Sequence, residues 1–433
     1  MLSRLLLSAL IYALPITINA LPSNLDPLRN GYFNERVLVN PLVMPKKDAF
    51  HVLSGYIQND MFLDTRRIVA GRDGSFLLYP ARPIIDPEGN DVNARANANL
   101  QEIRTRVRLN VYGPDLWCAS TSATLETDFV GLSDETMLAN RIRHAYLQFD
   151  WEYFSLLCGS TWDPIYFPIN APETVSFDTG TPTNPFARIP QVRGTYHNDL
   201  VDVVLTFSAE DRINDSAGPD GFTTFYKRFG VIPDISLSAI GHICEHRIGA
   251  GVHYKRIAPR LESLTDYKVR EYNNSVSAIG WAQFMLHPIM VTFKGVYGQN
   301  LTYAQTFGGY AVYEIDPITE KRHYTNLRMA SGWMEIVVSK SSRFQPGLLV
   351  GYATNLGAKK LIPDTSLVYG LGTDVGFLAR ISPRLWIKYN PLVIGLELQV
   401  NRAGWGTLNE YAKPVNTIPV TDWRFQCGLF YLF

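Results

Sequence analysis

The chain ends with the stretch Thr421-Asp-Trp-Arg-Phe-Gln-Cys-Gly-Leu-Phe-Tyr-Leu-Phe433. Every second position is apolar or aromatic, namely Trp423, Phe425, Cys427, Leu429, Tyr431 and Phe433. A period of two with one apolar face predicts a β-strand. An apolar edge exposed to water invites aggregation, whereas a closed barrel in a bilayer turns this face to lipid and its aromatic end to the interface. The stretch favours a membrane barrel over its alternative, a core strand of a secreted β-sandwich.

The first twenty residues have the composition of a secretory signal. Arg4 supplies a positive charge, Leu5–Ile18 is almost entirely apolar, and Ala20 offers a small residue for cleavage. The apolar run is short for a membrane span, and Pro15 interrupts it. We therefore expect residues 1–20 to be a signal peptide, residues 21–48 a periplasmic lead-in and residues 49–433 the barrel.

The composition is balanced in charge and in hydropathy. The chain has 40 basic and 40 acidic residues, which gives no reason to expect nucleic-acid binding. No later stretch of about 18 apolar residues could form a spanning helix. Mean hydropathy is close to zero, as expected where lipid-facing and water-facing side chains alternate along strands.

About sixteen segments with a two-residue period follow one another along the chain. The first is Phe50–Phe62, the second is Ile103–Val111, and the last is the terminal stretch. Short turns near residues 113–118, 151, 198, 244, 287, 341 and 390 alternate with longer polar loops. This spacing predicts an all-β fold, a transmembrane antiparallel β-barrel with short periplasmic turns and long external loops.

If the apolar face of each strand meets lipid, the other face lines a lumen. The side chains that we expect there are Arg104, Arg106, Arg108, Glu126, Asp128, Lys255, Lys294 and Arg380. Arginines at alternate positions of one strand repel each other, and the carboxylates of the next strand can pair with them. Two interpretations stay open: a positive wall that attracts anions through a pore, or a salt-bridge network that only supports the barrel.

Catalytic and metal-binding signals are weak. His242-Ile-Cys-Glu-His246 matches a zinc-peptidase pattern that requires a helix, but it lies at a predicted turn between strands, so a chance match is the better interpretation. We therefore predict no metal site, no cofactor and no enzymatic activity. Cys118 and Cys244 fall at predicted periplasmic turns and could form a bridge within or between subunits. Cys158 and Cys427 fall on apolar strand faces.

Several stretches resemble outer-membrane porins of the DcaP-like type. They are Leu53-Ser-Gly-Tyr-Ile-Gln58, Asp64-Thr-Arg66, Gly74-Ser-Phe-Leu-Leu-Tyr-Pro80, Arg104-Thr-Arg-Val-Arg108, Gly113-Pro-Asp115, Arg141-Ile-Arg-His-Ala-Tyr-Leu-Gln-Phe-Asp-Trp151, Thr174-Val-Ser-Phe-Asp-Thr-Gly-Thr-Pro182, Gly395-Leu-Glu397 and the terminal Phe433. The resemblance runs from about residue 50 to the end and is dense to about residue 195. It implies a trimeric passive channel in the bacterial outer membrane for small, often anionic solutes.

The loop of residues 163–190 is the third long loop, which folds inward and narrows the pore in sixteen-stranded porins. Its prolines limit its conformations, as a fixed constriction requires. The charges that we expect at the constriction are Asp163, Glu173, Asp178 and Arg188. The other interpretation is a surface loop packed on the rim of the barrel.

These observations predict a porin, a passive diffusion channel for small hydrophilic solutes with a preference for anions. The alternative is a non-conducting outer-membrane surface protein, such as an adhesin, whose external loops bind a partner. A third possibility, an outer-membrane hydrolase, needs a Ser–His pair on adjacent strands at the outer rim, and the strand pattern offers no clear candidate.

Overall fold

The computed structural model describes residues 50–166, 170–211, 215–338 and 342–433. The predicted signal peptide and periplasmic lead-in lie outside these residues. Among the described residues, no helix is long and apolar enough to cross a membrane.

The described strands, in chain order, are β1 (Phe50–Asp64), β2 (Ile68–Gly71), β3 (Phe76–Pro80), β4 (Asn97–Gln101), β5 (Arg106–Tyr112), β6 (Ser120–Asp128), β7 (Arg141–Asp150), β8 (Phe154–Trp162), β9 (Arg188–His197), β10 (Val201–Ser208), β11 (Ser216–Gly218), β12 (Gly221–Thr223), β13 (Asp234–Ile243), β14 (His246–Ile257), β15 (Asn273–Leu286), β16 (Ile289–Gln299), β17 (Gly308–Ile315), β18 (Arg322–Val338), β19 (Phe344–Gly357), β20 (Val368–Leu371), β21 (Val375–Tyr389), β22 (Leu392–Leu408) and β23 (Pro414–Leu432). A short α-helix spans Phe225–Gly230, and single 3₁₀ turns lie at Asp134–Thr136, Thr302–Ala304 and Thr365–Leu367.

Within the described ranges the main sheet closes on itself as a barrel of 16 antiparallel strands. Closure joins the first strand to the last, because β1 pairs with β23 from Tyr56 opposite Leu432 to Asp64 opposite Arg424. On its other side β1 pairs with β4 and β5, which together fill one position in the ring. The hairpins β2–β3 and β11–β12 and the strands β17 and β20 belong to the long connections. The predicted fold class is confirmed.

The terminal strand β23 has the orientation that its pattern predicts. Trp423, Phe425 and Tyr431 are 45%, 52% and 53% exposed on the outer wall. Asp422 and Arg424, on the opposite face, are fully buried inside. Because the outer face meets hydrocarbon and the barrel has no free edge, the aromatic row carries neither the exposure cost nor the aggregation risk that it would have in water.

The prediction of a continuous second strand over Ile103–Val111 is wrong. The strand position is divided into β4 and β5, and a turn between them carries a hydrogen bond from the Thr105 N–H to the Glu102 carbonyl at 3.0 Å. Thr105 Oγ1 also accepts a hydrogen bond from the Gln58 N–H at 3.1 Å. Ile103, expected on the lipid face, is instead 2% exposed, because the turn resets the alternation.

The interior of the barrel contains an apolar cluster formed by wall residues and by three connections that fold inward. Tyr79 comes from the connection after β1, Ile165 from the one after β8, and Phe307 from the one after β16. They pack with Trp281 and Leu378 of the wall. The polar side chains of the inner wall therefore lie in separate regions, and the apolar cluster occupies the interior between them.

Candidate channel interior

The structure places all eight predicted lumen residues on the inner side of the wall, in separate groups. Those on β5 and β6, together with Arg104, form one group. Lys255 on β14 belongs to a second group. Lys294 on β16 and Arg380 on β21 contact the connection after β8. Burial on the inner side agrees with the predicted orientation, while the role in lining a pore stays a prediction.

The first group, called the arginine cluster below, contains six arginines and three carboxylates of the described chain: Arg104, Arg106, Arg108, Arg141, Arg143, Arg188, Asp60, Glu126 and Asp128. Pairing between β5 and β6 places Arg108 opposite Glu126 and Arg106 opposite Asp128. The expected ion pairs are present, because Glu126 lies 3.3 Å from Arg106 Nε and 3.2 Å from Arg108 Nη1. On the other side of the group, Arg104 Nη1 contacts Asp60 Oδ2 at 3.0 Å.

Two further arginines of the cluster, Arg141 and Arg143, were not among the predicted lumen residues. Arg141 binds Asp128 through two hydrogen bonds of 2.6 and 3.0 Å. Arg143 bridges both carboxylates, with Nε 2.7 Å from Glu126 and Nη1 3.0 Å from Asp128. Arg141 and Arg143 alternate in the sequence, which was a signal that they share one face of the strand. The orientation of that face could not be read from the rest of β7, because a register shift between Glu126 and Thr127 turns both Arg143 and His144 inward and so changes the parity of the strand.

Aromatic rings cover the arginine cluster. The Phe177 ring lies 5.3 Å from the Arg104 guanidinium carbon and 5.6 Å from that of Arg141. The Trp162 ring lies 4.7 Å from that of Arg188. Cation–π contacts of this kind stabilise a guanidinium most strongly where water is excluded. The cluster is therefore held by ring faces as well as by carboxylates.

The predicted loop of residues 163–190 is shorter in the structure, because β9 begins at Arg188. The connection after β8, as far as it is described, crosses the interior and is anchored to the far wall. The backbone N–H groups of Val175 and Ser176 donate to one oxygen of Glu397 at 2.5 and 2.8 Å. The Glu173 N–H donates to Glu335 Oε1 at 2.8 Å. This placement differs from that of a loop packed on the outer rim.

The predicted constriction charges are all buried and engaged. Asp178 pairs with Arg380 at 2.9 Å, and the Glu173 carboxylate accepts a hydrogen bond from Gln345 at 3.1 Å. Asp163 accepts one from the Tyr303 hydroxyl at 3.2 Å. Arg188, predicted in the loop, is instead the first residue of the wall strand β9, because it pairs with Trp162 of β8, and its side chain belongs to the arginine cluster. Their effect on pore width stays a prediction.

The second charged group, called the lysine cluster below, comprises Lys227, Lys255, Glu210 and Asp234. Lys255 Nζ lies 2.9 Å from Glu210 Oε1, and Lys227 forms an ion pair with Asp234. Glu210 also accepts hydrogen bonds from the hydroxyl and N–H of Ser216 at 2.7 and 2.9 Å. Two cations face two carboxylates, so this cluster is balanced in charge.

A Ser–His pair on adjacent strands lies beside the lysine cluster. Ser236 Oγ is 2.8 Å from His253 Nδ1, and His253 Nε2 is 3.3 Å from the Tyr303 hydroxyl. The sequence pattern did not reveal this pair, which lies on the inner side of the wall rather than at the outer rim. The cavity that borders it has a volume of about 10 Å³, enough for about one water molecule. The pair therefore lies in closely packed surroundings.

The H-x-x-E-H segment forms a tight turn between β13 and β14. Cys244 has a φ of +54°, which no helix contains. His242 lies 3.1 Å from Asp202, and Glu245 lies 2.8 Å from His287, so the side chains of the motif have separate partners. In the described part of the chain, no group of three His, Cys, Asp or Glu side chains is arranged to hold a metal ion.

All four cysteines fall within the described ranges and are free. Cys118 and Cys244 are exposed at turns, as predicted, and are not bridged to each other. Cys158 and Cys427 are partly exposed.

No protein-family model matches the sequence, and no curated protein matches it. The fold is similar to that of the outer membrane channel DcaP of Acinetobacter baumannii, with a TM-score of 0.66 and 16% identity over 90% of this chain and 99% of that chain. The anion-selective porin from Comamonas acidovorans gives a TM-score of 0.54 and 9% identity over 89% of this chain and 100% of that chain. OmpT of Vibrio cholerae gives 0.52 and 9% over 90% and 99%. These likenesses show a shared barrel fold.

Proposed function

We propose that the chain is a porin of the bacterial outer membrane, a passive channel for small hydrophilic solutes. The observation that carries the proposal is a closed barrel with an apolar outer wall and charged side chains inside, crossed by an inward loop. Such a wall satisfies every backbone polar group in lipid while it keeps ionised groups away from hydrocarbon. Export would use the predicted signal peptide of residues 1–20.

Selectivity for anions is the finer part of the proposal. The arginine cluster carries three more positive charges than negative ones, whereas the lysine cluster is neutral. An excess of one sign on a low-dielectric wall attracts counter-ions and repels ions of the same sign. The name of the Comamonas porin describes that protein as anion-selective, which gives weak support at 9% identity. The connection of residues 163–190 would form the constriction.

A homotrimer is the proposed assembly. One of the similar structures is described as the trimer form of OmpT. The apolar outer wall could be shared between lipid and neighbouring subunits. Mass photometry or native electrophoresis of the detergent-extracted protein tests this, and a monomer under every mild extraction condition would contradict it.

Conductance in planar bilayers tests the function directly. We expect single-channel steps and, across a salt gradient, a reversal potential of the sign that indicates anion permeation. A reversal potential of the opposite sign would reject the anion preference while leaving the porin proposal intact. Membranes that stay silent under all conditions, with the folded wild type and with a folded variant that lacks residues 68–80, would reject both.

A non-conducting surface protein is the second candidate. The apolar cluster in the interior favours it, because packed side chains reduce the open cross-section. The connections also expose large apolar side chains, including Val231 at 79%, Leu264 at 78% and Ile318 at 91%. Such residues on external loops suit contact with a partner. Silence in bilayers together with saturable binding to a surface partner would favour this candidate.

A further inference from the structure

The hairpin β2–β3, residues 68–80, packs into the interior apolar cluster at the outer ends of the strands. It follows β1 directly, and its turn contains Asp73 with a φ of +47° and Gly74 with a φ of +86°. Leu77 is fully buried, and Leu78 and Tyr79 are 7% and 3% exposed. A hairpin of a surface loop that faced only water would not bury these side chains.

The two ends of the hairpin contact the wall strands β4 and β22, which lie three positions apart in the ring. At its turn, the Asp73 carbonyl accepts a hydrogen bond from Gln101 Nε2 on β4 at 2.9 Å. At its other end, the Pro80 carbonyl accepts one from Trp405 Nε1 on β22 at 3.0 Å. Beyond that, the Tyr79 ring lies 5.9 Å from the ring of Phe307 in the connection after β16. The hairpin is therefore held against the wall between β22 and β4, and its Tyr79 ring reaches the connection that folds inward after β16.

The middle of the hairpin closes the space above the arginine cluster. The Phe76 ring lies 5.6 Å from the rings of both Phe177 and Phe186. Phe177 covers Arg104 and Arg141, and the Arg188 guanidinium lies 5.5 Å from the Phe186 ring. A solute that enters from the outer end would meet the hairpin before it reached these arginines.

The base of the hairpin is fixed independently of its body. The Ala81 N–H donates to the Arg67 carbonyl at 2.9 Å, and Arg66 Nη2 donates to the Ala81 carbonyl at 2.8 Å. The Arg66 N–H donates to Asp422 on β23 at 3.2 Å. The turn of the body is held by hydrogen bonds to Asp134 and from Asn99, Gln101 and Arg424, and the rest of the body is held by ring contacts. This arrangement allows the body to move while residues 66, 67 and 81 keep their places.

We propose that residues 68–80 are a lid over the outer mouth of the channel, seen here in its closed position. Opening separates Phe76 and Tyr79 from their ring partners and gives solutes access to the arginine cluster. The inference rests on the proposed porin function, since a lid has no meaning on a barrel that never conducts.

Removal of the lid is the first test. Because Arg67 and Ala81 are hydrogen-bonded neighbours, residues 68–80 can be replaced by Gly-Gly without moving the ends apart. We expect mean single-channel conductance, or the fraction of time open, to rise about twofold or more. The double variant Phe76→Ala/Tyr79→Ala keeps the full chain length and should give a smaller rise in the same direction. Heat-modifiable migration on gels verifies that each barrel has folded.

Cross-linking is the second test, because it acts in the opposite direction. Asn99 Nδ2 donates to Asp73 Oδ2 at 2.5 Å; Asp73 is exposed and Asn99 is partly exposed. In a background with Cys118→Ser and Cys244→Ser, the pair Asp73→Cys/Asn99→Cys is joined by a short bifunctional methanethiosulfonate. We expect the open fraction to fall at least about twofold and to recover with a reductant. Each single cysteine variant, treated in the same way, is the control and should not change.

The outcomes separate the lid from the function. A wild type that conducts, with neither deletion nor cross-link changing its conductance, overturns the lid and leaves the porin proposal standing. A silent wild type whose lidless variant conducts supports both. Silence of the wild type and of the folded lidless variant overturns the porin proposal, and the lid with it.

Discussion

The arginine cluster and the lysine cluster are two buried charged regions of the same inner wall, and they differ in charge balance. In the arginine cluster, five guanidiniums share the carboxylates of Asp60, Glu126 and Asp128, and the sixth, that of Arg188, lies against the Trp162 ring. In the lysine cluster, each ammonium has its own carboxylate, Lys255 with Glu210 and Lys227 with Asp234. The balanced cluster is what a purely supporting network requires. The unbalanced one retains a field that a mobile anion can neutralise.

The difference also lies in the type of cation. A guanidinium offers five donors in a plane and can bind two carboxylates and a ring face together, as Arg143 does between Glu126 and Asp128 with its guanidinium carbon 6.0 Å from the Trp162 ring. An ammonium is a compact charge that is satisfied by one carboxylate and a hydroxyl, as Lys255 is by Glu210 and Ser216. Both cations also lie near a ring, since Lys255 Nζ is 4.5 Å from the Tyr303 ring, but Arg143 joins two carboxylates whereas Lys255 binds one.

The largest effect is expected from Arg143→Ala, because it removes one guanidinium from two buried carboxylates at once. We expect the free energy of unfolding in lipid vesicles to fall by about 3–5 kcal/mol. Urea titration followed by tryptophan fluorescence measures it. Arg143→Lys keeps the charge but cannot reach both carboxylates, so its free energy of unfolding should lie between those of the wild type and Arg143→Ala.

The matched change in the lysine cluster sharpens the comparison. Lys255→Ala leaves Glu210 with its two hydrogen bonds from Ser216, so the free energy of unfolding should fall by less than in Arg143→Ala. Equal losses of unfolding free energy for Arg143→Ala and Lys255→Ala would show that a guanidinium that joins two carboxylates is no more stabilising than an ammonium that binds one.

A second change acts on the connection that lies between the clusters. On the side of the arginine cluster, Arg104 donates a hydrogen bond of 2.9 Å to the Val175 carbonyl of this connection. On the side of the lysine cluster, Asp163 of the connection accepts a hydrogen bond from the Tyr303 hydroxyl. Glu397→Gln weakens its two charge-assisted anchors at Val175 and Ser176, each worth about 1.5–3 kcal/mol. We expect noisier current with larger fluctuations between conductance levels, and unchanged gel migration of the folded barrel.

The control for this change is Glu410→Gln, which neutralises a carboxylate in the connection after β22, at an exposed position. It should leave the current noise as in the wild type. Steady current from Glu397→Gln would mean that its carboxylate does not hold the connection in place.

A third change alters the charge excess itself. Arg108 has the most exposed side chain of the arginine cluster, at 20%, so it is the member that a solute would contact most readily. Arg108→Glu reverses one charge, and we expect the ratio of chloride to potassium permeability to fall about two- to fivefold. The ratio comes from reversal potentials across a KCl gradient, and Arg108→Lys should keep the wild-type value. An unchanged ratio in Arg108→Glu would place the field of the cluster away from the ion path.

The barrel itself could be predicted from sequence because each strand repeats one physical rule. One face meets hydrocarbon, so a segment such as Trp423–Phe433 shows its orientation by parity alone. The pairs of Arg106 and Arg108 with Glu126 were predictable for the same reason, since neighbouring strands place them opposite each other.

Parity fails where the backbone departs from a regular ladder. The turn at residues 102–105 moved Ile103 inside, and the register shift at Glu126 brought Arg143 and His144 to the same side. Contacts within the interior were beyond the sequence for another reason. Phe76 and Phe177 are about 100 positions apart, and no local period records which loops meet. The Ser236–His253 pair was likewise hidden, because it depends on the register between β13 and β14.

The smallest effect is expected from the double variant Lys255→Met/Glu210→Gln, which removes one positive and one negative charge from the balanced cluster. Replacement of a buried pair by side chains of similar volume is often close to neutral in stability, and the net charge of the wall does not change. We expect the permeability ratio to stay within measurement error and the free energy of unfolding to change by less than about 1.5 kcal/mol. The same two measurements used for Arg143 and Arg108 apply. A clear shift in permeability ratio would mean that solutes meet the lysine cluster as well, and that selectivity depends on individual charges along the path rather than on the excess held by the arginines.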